Sequence, residues 1–127
     1  MQEMRFIKGD SIIGPREKVR CAAKLAGKKK AEDAVILDLR KIANYCDYFL
    51  ICSGNSQRQV LSIAEEIEAV FLKKKIKAVK ANAERDGLWT LLDYGDLVIH
   101  VFHKDTREYY DLERLWIDAP RVPISTD

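Results

Sequence analysis

The sequence has few cysteines, few histidines and no long apolar run, and each shortage excludes a class of protein. The three cysteines, Cys21, Cys46 and Cys52, form no C-x-x-C pair, which favours a reduced, cytoplasmic protein over one held by disulfides. No stretch approaches the roughly 18 consecutive apolar residues of a membrane helix, so no membrane partner is expected. Met1 to Pro15 lack the pattern of a signal peptide.

Neither sign of charge dominates, since 22 Lys and Arg residues oppose 20 Asp and Glu residues for a net charge of +2. This balance excludes a nucleic-acid binder of the polybasic kind, although it is compatible with local basic patches. Apolar residues make up 47% of the chain and charged residues 33%, which excludes a disordered chain. A chain of 127 residues is long enough for one domain with one core.

We divide the chain into three parts. Residues 1–16 have no clear period and are expected to form a flexible N-terminal arm. Residues 17–119 contain every strongly patterned segment and are expected to form a single α/β domain. Residues 120–127 are expected to form a C-terminal tail, because Pro120 and Pro123 stop a helix that reaches them.

In the first half of the domain, the sequence predicts two helices and three strands, the third of them weak. Apolar spacing predicts a helix over 17–26 that ends at Gly27. Apolar runs at 34–39 and 48–53 predict strands, which should be antiparallel because their connection is too short for a helical crossover. A capping box at Ser56 and Gln59 starts the second helix, which ends near lysines 73–75. Residues 76–79 predict a weak strand that completes a parallel strand–helix–strand unit.

In the second half of the domain, the sequence predicts a β-hairpin followed by a helix. Strand-like runs at 88–93 and 97–102 flank Tyr94-Gly95-Asp96, which can form a tight turn. A second capping box, Asp105 with Glu108, starts the last helix. Three apolar residues are predicted on its inner face: Tyr109, Leu112 and Trp116. The order of elements predicts an α/β fold with a single mixed five-stranded sheet and helices packed on it.

A small metal-dependent nucleotidyltransferase is one functional hypothesis. Gly54 and Ser56 lie at a strand-to-helix turn, where helix amides can meet a phosphate. The hypothesis also needs two carboxylates at positions i and i+2 of a strand to hold Mg²⁺. Asp93 and Asp96 are three apart and flank a turn, and Asp38 has no partner two positions away. The enzyme hypothesis is therefore the weaker one.

Histidine and cysteine chemistry is disfavoured as well. His100 and His103 should point to opposite faces of a strand, which does not suit a shared metal ion. His100, between two apolar neighbours, is typical of a hydrogen-bonded sheet histidine. Cys52 lies in an apolar run and is typical of core packing rather than of a nucleophile. We predict no catalytic residue, no metal and no cofactor.

A binding surface is the stronger hypothesis, because aromatic and acidic residues gather in the last third of the chain. Exposed aromatics surrounded by acids are typical of an interface for a basic partner. The acids are Asp93, Asp96, Glu108, Asp111 and Glu113. Among the aromatics, Trp116 is expected to pack inward, and either core or surface fits Trp89 and Tyr94.

A basic surface is the third hypothesis. The helix over 17–26 carries Lys18, Arg20 and Lys24, and lysines follow at 28–30 and 73–75. A solvated face is the simpler interpretation of such residues. The alternative is an RNA-binding module, whose affinity would fall steeply with salt.

Four segments of the chain, 33–39, 47–60, 89–102 and 107–116, resemble the ribosomal silencing factors, also called Iojap-related proteins. The third segment carries W-x-x-x-D-Y-G-D-x-x-x-H and the fourth Y-x-L-E-x-L-W. The resemblance covers about residues 18–119. The chain departs from the family at Asn82-Ala83, where the family usually has Glu-Gly.

The resemblance implies a fold like that of nucleotidyltransferases without their catalytic carboxylates. It implies a protein that is not an enzyme and that binds the large ribosomal subunit through its protein number fourteen. The bound factor would block joining of the small subunit and lower translation when nutrients are scarce. Homodimers are implied too, and the basic residues could add a secondary contact with ribosomal RNA.

The resemblance also implies a partner-binding surface around the hairpin. Trp89 and Tyr94 would be apolar anchors, and Asp93 and Asp96 would meet Lys or Arg of the partner. Gly95 would allow the turn. A competing role of the two aspartates is to hydrogen-bond the turn itself. The predicted partner-binding residues are Trp89, Asp93, Tyr94, Gly95 and Asp96, with Tyr110 and Glu113 as weaker choices.

Overall fold

A computed structural model describes residues 13–79 and 86–124. Most of the expected N-terminal arm and the Asn82-Ala83 departure lie outside these residues. The elements are α1 (Pro15–Lys28), β1 (Glu32–Asp38), β2 (Tyr48–Gly54), α2 (Gln57–Lys73), β3 (Trp89–Asp93), β4 (Leu97–His103), α3 (Lys104–Tyr110), α4 (Leu112–Leu115) and β5 (Arg121–Val122).

The strands form one mixed five-stranded sheet in the order β3-β4-β2-β1-β5. The predicted α/β fold is thereby confirmed. β1 and β2 are antiparallel, as their short connection predicted. β3 and β4 form the predicted hairpin, closed by a bond from the Tyr94 amide to the Leu97 carbonyl oxygen. β2 and β4 lie side by side in parallel at the centre of the sheet.

The prediction of a strand over residues 76–79 was wrong. Lys75 has a φ of 64°, so the chain turns sharply after α2, and Ile76 then enters the core. Within this segment, only the Val79 amide forms a backbone hydrogen bond with the hairpin, by donating to the Asp93 carbonyl oxygen. The parallel neighbour of β2 is therefore β4 rather than this segment.

The fifth strand comes instead from the segment expected to be a tail. Arg121 and Val122 pair antiparallel with Leu37 and Ile36 of β1. The Pro120 carbonyl oxygen extends this pairing by accepting from the Asp38 amide. A proline ends a helix but is tolerated beside an edge strand, since it still offers a carbonyl group.

Helices α1 and α2 pack together on one face of the sheet. The predicted cap of α2 is confirmed, because the Gln59 amide donates to Ser56 Oγ at 3.1 Å. The Gln59 side chain also donates to the Lys29 and Lys30 carbonyl oxygens. These bonds hold the end of α1 beside the start of α2. Gly27 does not end α1, which continues to Lys28.

The last predicted helix differs in three ways. It begins at Lys104 with His103 as its cap, not at Asp105, because His103 Nδ1 accepts from the Asp105 amide. It divides at Asp111, whose φ of 48° interrupts the helix. Tyr109 is 81% exposed rather than packed inward, whereas Trp116 packs on the sheet as predicted. No helix in residues 13–79 and 86–124 is long and apolar enough to cross a membrane.

Candidate partner-binding surface

The face of the sheet opposite α1 and α2 carries the second apolar cluster of the protein. Alternation along the strands directs Phe49, Ile51, Val98 and Phe102 to this face. Its cover comes from short segments, mainly the loop after β1 and the segment from α4 to Ala119. These four side chains are buried, whereas Leu91 of the edge strand β3, on the same face of the sheet, is 40% exposed.

Aromatic rings run across this face in an unbroken row. The partners and centroid distances are Tyr109–Tyr110 at 5.1 Å, Tyr110–Trp89 at 4.9 Å, Trp89–His100 at 6.0 Å, His100–Phe49 at 4.6 Å, Phe49–Trp116 at 5.8 Å and Trp116–Tyr45 at 6.3 Å. We call these seven residues the aromatic row. Ring pairs at such distances stabilise one another beyond the area they bury.

Both ends of the aromatic row are open to solvent. Tyr109 and Tyr110 are exposed at one end and Tyr45 at the other. Exposed aliphatic side chains accompany them in the same segments: Ile42, Leu88, Leu91, Leu115 and Ile117. Single exposed apolar residues of this size are ordinary, but several of them beside exposed rings are typical of an interaction surface.

A cavity of about 340 Å³ lies at the Trp89 end of the aromatic row. Its walls include the aromatic residues Trp89, Tyr109 and Tyr110 and the carboxylates Asp86 and Asp105. Ring faces attract cations, and nearby carboxylates add a charge of the right sign. The cavity therefore suits the side chain of a lysine or an arginine from a partner.

Trp89 is held in place by His100. The indole Nε1–H of Trp89 donates to Nδ1 of His100 at 3.2 Å, so the proton of the neutral imidazole lies on Nε2. His100 is 4% exposed, and burial lowers its pKa to about 4. The ring is thus neutral at physiological pH. This agrees with the predicted role of His100 as a hydrogen-bonded sheet histidine.

Three of the predicted site residues, Asp93, Gly95 and Asp96, have structural roles at the hairpin turn. Gly95 has a φ of 87°, which favours glycine, and its amide donates to Asp93 Oδ1 at 2.9 Å. Asp96 accepts from Lys18 Nζ through both carboxylate oxygens at 3.0 Å. The Asp93 contact is of the kind that the competing structural role predicted, whereas the Asp96 side chain pairs with α1 instead of the turn.

Tyr94 does not have the exposure that an anchor needs. Its side chain is 7% exposed and packs edge-on against Phe71 of α2, with the ring centroids 4.8 Å apart. Tyr94 belongs to the core between the sheet and the helices. The exposed part of the candidate surface therefore lies on the other face of the sheet, around Trp89 and Tyr110.

Glu113, a weaker choice for partner binding, is paired within the chain. Arg107 donates to both of its carboxylate oxygens, at 3.4 and 2.9 Å, and to Ser53 Oγ at 3.1 Å. Burial opposes ionisation of Glu113, but the hydrogen bond and charge of Arg107 outweigh it and lower its pKa. Arg107 thus joins α3 to α4 and to the end of β2.

The residues of the nucleotidyltransferase and cysteine hypotheses also have structural partners. Ser56 caps α2, and Asp38 forms a two-bond pair with Arg40, which lowers the pKa of Asp38. Burial raises the pKa of Cys52 to about 12 and that of Cys46 to about 11. Both thiols are therefore protonated at neutral pH and poor nucleophiles.

The sequence predicted two residues of this surface and missed three. Trp89 and Tyr110 were chosen, and both lie in the aromatic row. Tyr109, Asp86 and Asp105 were not, although they line the cavity beside Trp89. Helical spacing predicted Tyr109 on the same face as Leu112 and Trp116, but the interruption at Asp111 breaks that spacing. Nothing local pointed to Asp86, which precedes β3.

The fold and this surface define a small α/β domain with an exposed row of aromatic rings. Comparison with known proteins identifies its family: residues 13–127 match the family model described as "Ribosomal silencing factor during starvation", and the chain belongs to this family. The ribosomal silencing factor RsfS of Bacillus subtilis is 47% identical over 106 residues, which cover 84% of this chain and 90% of that protein. The same factor of Halalkalibacterium halodurans is 43% identical over 109 residues, with 86% and 93% covered.

A more distant relative and a solved structure support the same assignment. The mouse protein named "Mitochondrial assembly of ribosomal large subunit protein 1" is 29% identical over 107 residues, which cover 82% of this chain and 47% of that protein. A crystal structure from Bacillus halodurans has a TM-score of 0.74 and 42% identity, with 85% of this chain and 98% of that chain covered. Family and fold are thus established together.

Proposed function

We propose that this protein is a translational repressor of the ribosome. It binds the large subunit through protein number fourteen of that subunit and keeps the small subunit from joining, so that translation falls when nutrients are limiting. Family membership carries the proposal, since the relatives are named for ribosomal silencing and one of them for assembly of the large subunit. The place of action would be the cytoplasm.

The aromatic row supplies a physical basis for such binding. A partner that covers exposed Tyr109 and Tyr110 together with Trp89 removes aromatic area from water, which is a large source of binding energy. Asp86 and Asp105 at the cavity favour a basic partner, and charges of this kind also speed encounter. A ribosomal protein rich in lysine and arginine fits this chemistry.

The proposed action needs occupancy and no chemical step, and we therefore propose that the protein is not an enzyme. An interface of roughly 1,200–2,000 Å² is enough for stable occupancy. Where that interface coincides with the surface that the small subunit needs, bound factor and small subunit exclude each other. A homodimer is part of the proposal, and its mass in analytical ultracentrifugation tests it.

The proposal is tested by sedimentation of the purified protein with isolated large subunits, isolated small subunits and joined ribosomes. We expect co-sedimentation with large subunits alone. Added before the subunits are mixed, the protein should lower the fraction of joined ribosomes in proportion to the large subunits it occupies. Binding to small subunits alone, or normal joining at full occupancy of large subunits, would overturn the proposal.

The identity of the partner protein is tested separately. Purified protein number fourteen of the large subunit should bind the chain in titration calorimetry and compete with large subunits for it. If large subunits bind while the isolated ribosomal protein does not, the choice of that protein is wrong and repression through another site remains. Large subunits depleted of protein number fourteen provide the matching control.

A further inference from the structure

The helical face of the protein has a charge opposite to that of the cavity beside Trp89. Helix α1 contains five cations, Arg16, Lys18, Arg20, Lys24 and Lys28, against one acid, Glu17. Lysines 73–75 follow at the end of α2. A chain that is nearly neutral as a whole thus concentrates positive charge on one side.

A groove of about 580 Å³ runs between α1 and the end of α2. Cys21, Leu25 and Val70 contribute apolar side chains to its lining. Three cations, Arg20, Lys24 and Lys74, line it as well, against the single carboxylate of Glu17. The groove therefore combines an apolar surface with a net positive charge, contributed by two different helices.

The cations of the groove are not neutralised by the described part of the chain. Lys18, which points elsewhere, forms an ion pair with Asp96 at 3.0 Å. Within residues 13–79 and 86–124, Arg20, Lys24 and Lys74 have no carboxylate within 4.0 Å. Cationic side chains that line the groove without a carboxylate partner in this part of the chain are available for an anion that enters it.

We propose that this groove binds the phosphate backbone of RNA. Arg20 and Lys24 are one helical turn apart, about 6 Å along the axis of α1, which is the order of the step between neighbouring phosphates of an RNA strand. Lys74 faces them from α2, so a strand in the groove meets cations on both sides. Guanidinium and ammonium groups are the usual phosphate partners of proteins, and the apolar lining can contact ribose.

The inference rests on the proposed function only in its choice of ribosomal RNA as the natural ligand. A module that occupies the large subunit through its aromatic row would present the opposite side of its sheet to any RNA strand that folds around it. Two contacts on opposite faces would act together, and their linkage raises the affinity for the subunit above that of either contact alone.

The test uses a fluorescein-labelled RNA hairpin of mixed sequence and measures its binding to the full chain at several salt concentrations. One variant replaces Arg20, Lys24 and Lys74 with alanine. A control replaces Lys41, Lys104 and Arg114, which are exposed elsewhere, and makes the same change in net charge. A charge-preserving variant, Arg20→Lys with Lys24→Arg and Lys74→Arg, shows whether the groove still folds. Thermal unfolding is recorded for all three.

We expect the logarithm of affinity to fall linearly with the logarithm of salt concentration for the wild type. Loss of three phosphate contacts should lower that slope by about two to three and weaken binding at least tenfold at low salt, whereas the control keeps the wild-type slope. Equal effects of the groove and control variants would overturn the inference. Displacement of the labelled hairpin by polyglutamate as effective as displacement by the unlabelled hairpin would also overturn the inference, because it would identify the groove as a site for any polyanion.

The two proposals fail separately. If the wild type binds large subunits but the groove variant keeps the RNA slope, the groove inference fails and the repressor proposal stands. If the wild type binds the hairpin through the groove but no ribosomal subunit, the repressor proposal fails and the RNA site stands.

Discussion

The indole of Trp89 donates to the imidazole of His100 across two neighbouring strands, and this bond fixes the orientation of both rings. Trp89 pairs directly with Phe102 in the hairpin, so His100 lies two residues further along on the same face. The indole also packs on Tyr110 of α3. A buried neutral histidine thus orients the tryptophan that joins the exposed tyrosines to the core.

Removal of either ring at the Trp89 end should weaken partner binding. We expect Trp89→Ala and Tyr110→Ala each to cost about 2 kcal/mol of binding to large subunits, about thirtyfold in affinity, because buried aromatics dominate interface energies. Co-sedimentation across a range of subunit concentrations measures this. Leu72→Ala serves as the control, since Leu72 is 68% exposed on α2. An equal loss for Leu72→Ala would contradict the assignment.

The Tyr110→Ala variant also distinguishes a loss of partner binding from a loss of folding. Trp89 is partly buried, and its replacement can affect the sheet, whereas Tyr110 is 52% exposed. A Tyr110→Ala protein with the wild-type melting temperature and wild-type binding would show that the surface lies elsewhere.

Stability should depend on pH through His100. Its pKa is about 4 in the folded protein and 6.5 when exposed, so the unfolded chain binds more protons between these values. The contribution of neutral His100 to the free energy of unfolding is complete above pH 6.5 and falls as the pH drops towards 4. We expect a loss of about 2 kcal/mol in the free energy of unfolding between pH 7 and pH 5. Denaturant unfolding at each pH measures it.

The matched variant for this effect is His100→Gln, compared with the wild type. Glutamine at position 100 does not titrate, and the slope between pH 7 and pH 5 should therefore flatten. A wild-type slope in His100→Gln would contradict the buried neutral state.

Two glycines should respond to alanine in opposite directions. Gly95→Ala should lower the free energy of unfolding by about 1–2 kcal/mol, since a φ of 87° disfavours a side chain and Val79 Cγ2 lies 3.3 Å from the new Cβ. Gly27→Ala should raise it by about 0.5 kcal/mol, because this helical position has open space. Thermal or urea unfolding of both variants checks the contrast, and changes of the same sign would refute it.

Arg107 and Glu113 should form a stabilising pair. The two side chains are only 11% and 21% exposed, so Glu113→Ala leaves a mostly buried guanidinium without its carboxylate. We expect a loss of about 3 kcal/mol. The pKa of Glu113 is lowered in the folded protein, so the contribution is present above about pH 4.5 and is lost as the pH falls further.

The control for this pair is Arg114→Ala. Arg114 is 83% exposed and lies 3.8 Å from Asp111, and exposed pairs of this kind contribute under about 1 kcal/mol. Urea unfolding should separate the two variants clearly. Similar losses for both would show that burial gives the Arg107–Glu113 pair no advantage.

Local patterns in the sequence predicted much of the fold. The apolar runs predicted β1, β2 and the β3–β4 hairpin. The runs are most continuous in β2 and β4, because a strand buried on both faces needs apolar residues throughout. Ser56 and Gln59 predicted the start of α2, since a cap depends only on residues within one helical turn. The four motif segments predicted the family, and the family match confirmed it.

Local patterns failed where distant parts of the chain meet. Residues 76–79 and 121–122 are both short and weakly apolar, and only pairing with β1 makes a strand of the second. Tyr94 and Tyr109 were exchanged between core and surface for the same reason. Each tyrosine has an apolar body and a polar tip, and either environment suits it.

Amino-acid order was thus sufficient for the strands, the hairpin, the cap of α2 and the family, because each depends on a short run of neighbouring residues. The three-dimensional fold alone decided which strand completes the sheet and which rings meet in the aromatic row. It also decided that Asp86 and Asp105 share a cavity with Trp89, and that Arg20 and Lys24 meet Lys74 across a groove. Those arrangements depend on contacts between residues far apart in the chain, and such contacts leave no periodic trace in the sequence.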